Sequence, residues 1–139
     1  MNTTRAMTAL ALGGFGIGTT EFATMGLLPQ IAETFGIPDY QAGHAISLYA
    51  AGVVVGAPLI AVLGAKLPRK GMLIGLMLAV ALGNGLSAAA QDKGLLLLAR
   101  FVAGLPHGAF FGIAAVVAAT LVAPERRGTA VGPAHRMRS

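Results

Sequence analysis

The stretch LLLLARFVAGLPHGAFFG, residues 95–112, is apolar throughout except for Arg100 and His107. A hydrocarbon core about 30 Å thick needs roughly 20 apolar residues at about 1.5 Å rise each, and this stretch with its flanks is long enough to cross one. A charge at the centre of a membrane helix costs roughly 2.5 to 3.5 kcal/mol, so ionisable side chains there face a bundle interior, a wet cavity or a partner. At 3.6 residues per turn, Arg100 and His107 lie about 20° apart, with Gly104 and Phe111 on nearly the same stripe. That stripe reads as a cavity wall, with His107, Gly104 and Phe111 as candidate solute contacts, because facing lipid would waste the cost of both polar side chains.

The rest of the 139-residue chain agrees with a membrane reading. It is 55% hydrophobic and 11% charged with 20 glycines, and its mean hydropathy is +0.75. Ordinary soluble domains carry about 25% charged residues. Cysteine is absent, which excludes disulfide frameworks, thiolate metal clusters and thiol nucleophiles. No His-Glu metal set, nucleophile triad or phosphate loop is present, so neither an enzyme nor a metal or cofactor is expected. The net charge of +5 is split into short basic groups between apolar runs, which points to membrane orientation rather than nucleic acid.

Four apolar runs predict an all-α polytopic membrane fold, with helices over about 6–28, 44–65, 71–90 and 94–123. The first run ends at Pro29, where the missing amide proton disfavours continuation. Its glycines, Glu21 and lack of a small-x-small site argue for a retained helix rather than a cleaved signal peptide. Residues 29–43 read as a loop. Tyr40 and Tyr49, near the start of the second run, suit the headgroup region. KLPRK, residues 66–70, is a tight turn. The fourth run is long enough to require tilt, a bend at Pro106 or a projecting end. Small residues four apart, Gly14/Gly18, Gly52/Gly56 and Gly71/Gly75, read as helix-packing seams, and Asn84 as an interhelical hydrogen-bonding residue.

With the amino terminus inside, the inner surfaces hold Arg5, Lys66, Arg69, Lys70, Arg126, Arg127, Arg136 and Arg138, and the outer loops hold only Lys93. That bias places both termini in the cytoplasm for a protein of the plasma or inner membrane. Glu21 lies about 12 Å from the outer end of its helix and Arg100 about 10 Å from the outer end of its own. If those helices are neighbours, carboxylate and guanidinium can pair, and a proton reaching Glu21 would break the pair.

Four passages, GTTEFATMGLLPQIAETFGI (18–37), YAAGVVVGAPLIAVLGAKLPRK (49–70), LLLLARFVAGLPHGAFFG (95–112) and PERRGTAV (124–131), together resemble the amino-terminal third of a major facilitator superfamily transporter. They are most similar to its arabinose-efflux-permease-like and drug:proton antiporter branch. The resemblance implies a parent fold of twelve helices in two six-helix halves, each made of inverted three-helix repeats, working by alternating access. Residues 1–131 then correspond to helices 1–4, with the first and fourth lining the central cavity. The resemblance makes Arg100 and Gly104 an R-x-x-x-G motif whose arginine takes part in proton coupling with Glu21, and makes Gly64 and Arg69 part of an inner loop signature. Pro68 stands where most such sequences carry aspartate. The polar tail 132–139 departs from the expected fifth helix and reads as truncation or a shifted reading frame.

The expected function is therefore part of a proton-coupled efflux carrier for small organic solutes such as sugars or drugs, incomplete alone, with solute, proton and bilayer as partners. The alternatives are a four-helix dimeric exporter like the small multidrug-resistance family, which self-associates, and a non-transporting membrane protein that packs with other helices.

Overall fold

A computed structural model describes residues 2–121. The described residues are all helix and connection: α1 (Thr3–Gly26), α2 (Leu28–Phe35), α3 (Asp39–Ala42), α4 (His44–Leu63), α5 (Arg69–Ala88) and α6 (Lys93–Leu121). Three stretches are long and apolar enough to cross a membrane: Asp39–Leu63, Arg69–Ala88 and Lys93–Leu121. α1 is 24 residues long, but Glu21 and Thr19, Thr20 and Thr24 make it less apolar than these. The PERRGTAV passage, the tail 132–139 and Arg126, Arg127, Arg136 and Arg138 lie outside the described residues.

Local chemistry sets the helix ends. The Asn2 side chain accepts a hydrogen bond from the Thr4 amide at 3.1 Å and starts α1, and Asp92 accepts from the Leu95 amide at 2.9 Å at the start of α6. Both satisfy amide groups that a first helical turn leaves without partners. Residues 29–43 are not the loop expected from Pro29. That proline stands in the first turn of α2, where its missing N–H costs nothing and its fixed φ favours a helix start. α2 ends at Gly36, whose φ of 61° is the one positive value among the described residues.

α6 is the central helix, packed along α4 on one side and α5 on another, with α1 touching it more lightly. It runs unbroken through Pro106 for 29 residues, about 43 Å. Ile17, Leu76, Val80, Ala109 and Phe110 form an apolar core among α1, α5 and α6. The α4–α6 crossing is made of glycines. A Cβ at Gly52 would overlap the Phe101 carbonyl, one at Gly56 would overlap Leu105, and one at Gly104 would overlap the Tyr49 carbonyl. Backbones therefore meet directly, the arrangement that stabilises helix pairs in lipid, where burying apolar side chains gains little. The seams expected elsewhere are formed only in part: a Cβ at Gly14 would lie 3.2 Å from the Phe111 ring of α6. A Cβ at Gly18 or Gly75 would meet nothing within 4 Å, whereas one at Gly83, unremarked in the sequence, would overlap Ala103.

Candidate functional site

Three helices hold the Arg100 side chain. The residue is 3% exposed and sits two turns into α6. Its Nη1 donates to Oδ1 of Asn84 on α5 at 3.2 Å, and its guanidinium carbon lies 4.2 Å from the centre of the Tyr49 ring on α4. Asn84 is itself oriented by donating from Nδ2 to the Val80 carbonyl at 2.9 Å. A buried charge is tolerated only with such partners, and here they are an amide dipole and an aromatic face. Asn84 thus makes the interhelical bond expected of it, and its partner is the arginine.

Tyr49 is 2% exposed and packs inside the bundle. Its hydroxyl shares a 2.8 Å hydrogen bond with Nδ1 of His107, the direction following the imidazole tautomer. The two rings meet edge to face at 5.6 Å, and His107 stacks at a tilt on Phe111 at 5.2 Å. The stripe of Arg100, Gly104, His107 and Phe111 therefore does occupy one face, and that face addresses Tyr49. Gly104 is the point where the α6 backbone abuts that of Tyr49 and Val53. Phe111 is 44% exposed and His107 is half-buried.

Glu21 is half-buried on α1. Its charge is within Coulombic range of Tyr49, Arg100 and His107, yet its carboxylate makes no hydrogen bond or ion pair among the described residues. The direct Glu21–Arg100 pair expected from their matching depths is not formed. Depth along the membrane normal does not fix the direction in which a side chain leaves its helix, and Asn84 and Tyr49 engage the guanidinium instead.

Gly64 and Arg69 belong to the other end of the bundle. Gly64 closes α4 against the side chain of Met72, and Arg69 is exposed in the first turn of α5. Both border a cavity of about 490 Å³ lined mainly by small residues such as Ala57, Ala61 and Gly108. A second cavity, of about 410 Å³, lies at the opposite end among α1, α2, α5 and α6, and Arg100 lines it. Sequence reasoning missed Tyr49. A signal was present: Tyr49, Gly52 and Gly56 recur at i, i+3 and i+7 on one face of α4, the face that meets α6.

The chain is similar to the inner membrane transport protein YdhP of Escherichia coli (strain K12), 51% identical over 123 residues, covering 88% of this chain and 32% of the relative. It is 41% identical to the putative transporter AraJ of the same strain over 127 residues, 91% of this chain and 32% of the relative. The probable sugar efflux transporter of Pasteurella multocida (strain Pm70) is 36% identical over 122 residues, 88% of this chain and 30% of that protein. The chain spans about a third of the length of these curated relatives. No solved structure gives a significant match. Residues 10–133 match the family model described as Major Facilitator Superfamily, and with relatives this similar over nearly all of its length, the chain belongs to that superfamily of membrane transporters.

Proposed function

We propose that this chain forms the first four membrane spans of a proton-coupled efflux carrier for small organic solutes, sugars or drugs, that works by alternating access. α1 is the additional span: 24 residues reach about 36 Å, more than the roughly 30 Å hydrocarbon core. In this reading the helix ends with Arg5, Lys66, Arg69 and Lys70 face the cytoplasm of an inner membrane and the end with Lys93 faces out. Gly64 and Arg69 form part of the inner loop. The name of the Pasteurella relative, a probable sugar efflux transporter, supports the solute class and direction.

One observation carries the proposal: among the described residues, a guanidinium buried between three apolar helices is held by neutral partners, with one carboxylate, Glu21, in Coulombic range but out of contact. Proton arrival at Glu21 removes a negative charge that Arg100, Tyr49 and His107 all feel. A low-dielectric interior transmits that change strongly. Glu21 is the proton-accepting group and Arg100 the charge that responds, while His107 and Phe111 meet the solute.

The test is a full-length carrier in which residues 10–133 of this chain replace the matching third of an efflux-competent relative, assayed in everted vesicles. Glu21→Gln is expected to abolish proton-driven solute movement and to leave insertion and helicity unchanged. Retained coupling would remove Glu21 from the mechanism.

A further inference from the structure

We propose that the cavity of about 490 Å³ among α4, α5 and α6 at the KLPRK end of the bundle is a binding site for an anionic glycerophospholipid, with the phosphate on Arg69 and one acyl chain in the cavity. α4 and α6 are in close contact as far as Gly108, where a Cβ would stand 3.0 Å from the Val53 carbonyl. One turn further on, a Cβ at Gly112 would meet nothing within 4 Å. The two helices therefore part toward the KLPRK end, and Ala57, Ala61, Gly112 and Ile113 line the gap between them. Arg69 is the one charged residue of that lining among the described residues. An apolar trench that ends on a cation matches a hydrocarbon chain that ends on a phosphate.

The charge around Arg69 is of one sign. Lys66 and Lys70 are exposed in the same turn and Arg5 is exposed at the start of α1, whose Ala9 lies across a small cavity from Leu73 of α5. Among the described residues the carboxylates lie elsewhere: Glu33, Asp39 and Asp92 are at the opposite end of the bundle, and Glu21 is about 24 Å along α1 from Arg5. None of the four cations has a side-chain hydrogen bond or ion pair among the described residues. Residues 122–139, which continue from the same end of α6, carry four arginines against one glutamate, so they add positive charge rather than neutralise it. Arg69 and Lys70 also stand in the first turn of a helix with no acidic residue there, where the dipole disfavours cations. Membrane orientation asks only that such residues lie on one side; it gives no reason for an apolar trench to end on one of them. Basic pockets between membrane helices are where anionic lipid headgroups bind. Such binding needs no flux, so the site stands apart from the transport reading.

Native mass spectrometry of the full chain in detergent counts the lipids bound to each copy. The chain is titrated with phosphatidylglycerol and with phosphatidylcholine of the same acyl chains, which carries the phosphate but no net charge. One saturable phosphatidylglycerol is expected, held about fivefold or more tighter than phosphatidylcholine. Arg69→Gln, at an exposed position, should weaken phosphatidylglycerol about fivefold and narrow its advantage. Gly112→Leu changes no charge and fills the trench, so it should weaken both lipids severalfold with helicity unchanged, the added Cβ having open space around it. Lys93→Gln removes an equal charge at the opposite end and should change neither. Equal affinity for the two lipids, no greater effect of Arg69→Gln than of Lys93→Gln, unchanged binding in Gly112→Leu, or a dimer that excludes lipid and so puts a second copy on this face, would overturn the site.

Discussion

Replacing Tyr49 by phenylalanine deletes one oxygen, whereas replacing it by leucine deletes the ring as well. The two losses fall on different partners. In Tyr49→Phe the ring stays under Arg100 and only the 2.8 Å bond to His107 Nδ1 is removed. Interhelical hydrogen bonds in membranes average about 0.6 kcal/mol, and with the half-buried imidazole nitrogen left unpaired the expected loss is about 1 kcal/mol. In Tyr49→Leu the guanidinium 4.2 Å above the ring also loses its aromatic face. A desolvated cation–π contact is worth about 2 kcal/mol and the smaller side chain leaves a void in a 2% exposed position, for a total of about 3 to 5 kcal/mol. The assay is reversible unfolding of the chain in mixed dodecyl maltoside and SDS micelles, followed by helical circular dichroism. His107→Ala completes a double-mutant cycle with Tyr49→Phe, and the two should couple by about 0.5 to 1.5 kcal/mol. Equal destabilisation by Phe and Leu, or full additivity with His107→Ala, would refute the arrangement.

Gly104→Ala places a Cβ against the Tyr49 carbonyl and should cost about 1 to 3 kcal/mol by forcing α4 and α6 apart, while Gly75→Ala, open on all sides, should be neutral or slightly stabilising in the same unfolding assay. Gly36→Ala asks alanine to adopt a φ of 61° and should cost about 1 kcal/mol, read as fraying of α2 in hydrogen exchange. In the hybrid carrier, His107→Ala should raise the apparent KM for solute severalfold with proton coupling retained; a pure loss of coupling at unchanged KM would assign His107 to the proton path instead.

Much of the architecture was legible because lipid imposes simple demands. Apolar runs bounded by KLPRK and QDK could only be helices. α2 was concealed because proline both ends one helix and begins another, and the choice between the two rests on the residues after it: LPQIAETF alternates apolar and polar faces at helical spacing and buries Ala32. The glycine pairs were all equal in the sequence. Only the azimuth of each helix decides that Gly52 and Gly56 meet a neighbouring backbone and Gly18 and Gly75 do not. For the same reason a stripe on α6 could be read, yet its counterpart on α4 could not, since Tyr49 carries no mark of burial until α6 is placed beside it. Helical rise alone gave Glu21 and Arg100 similar depths. It was silent on their separation, and the guanidinium took the partners that its own rotamer reached.

The chain has no cysteine, so single cysteines report their surroundings without background. Introduced at Glu21 and Ser87, they should react in sealed membranes with a charged, water-soluble thiosulfonate, whereas one at Leu82, 69% exposed on the outer face of α5, should react only with a membrane-soluble maleimide. Protection of positions 21 and 87 from the charged reagent, with labelling by the membrane-soluble one, would place both against lipid and contradict a shared polar interior around Arg100.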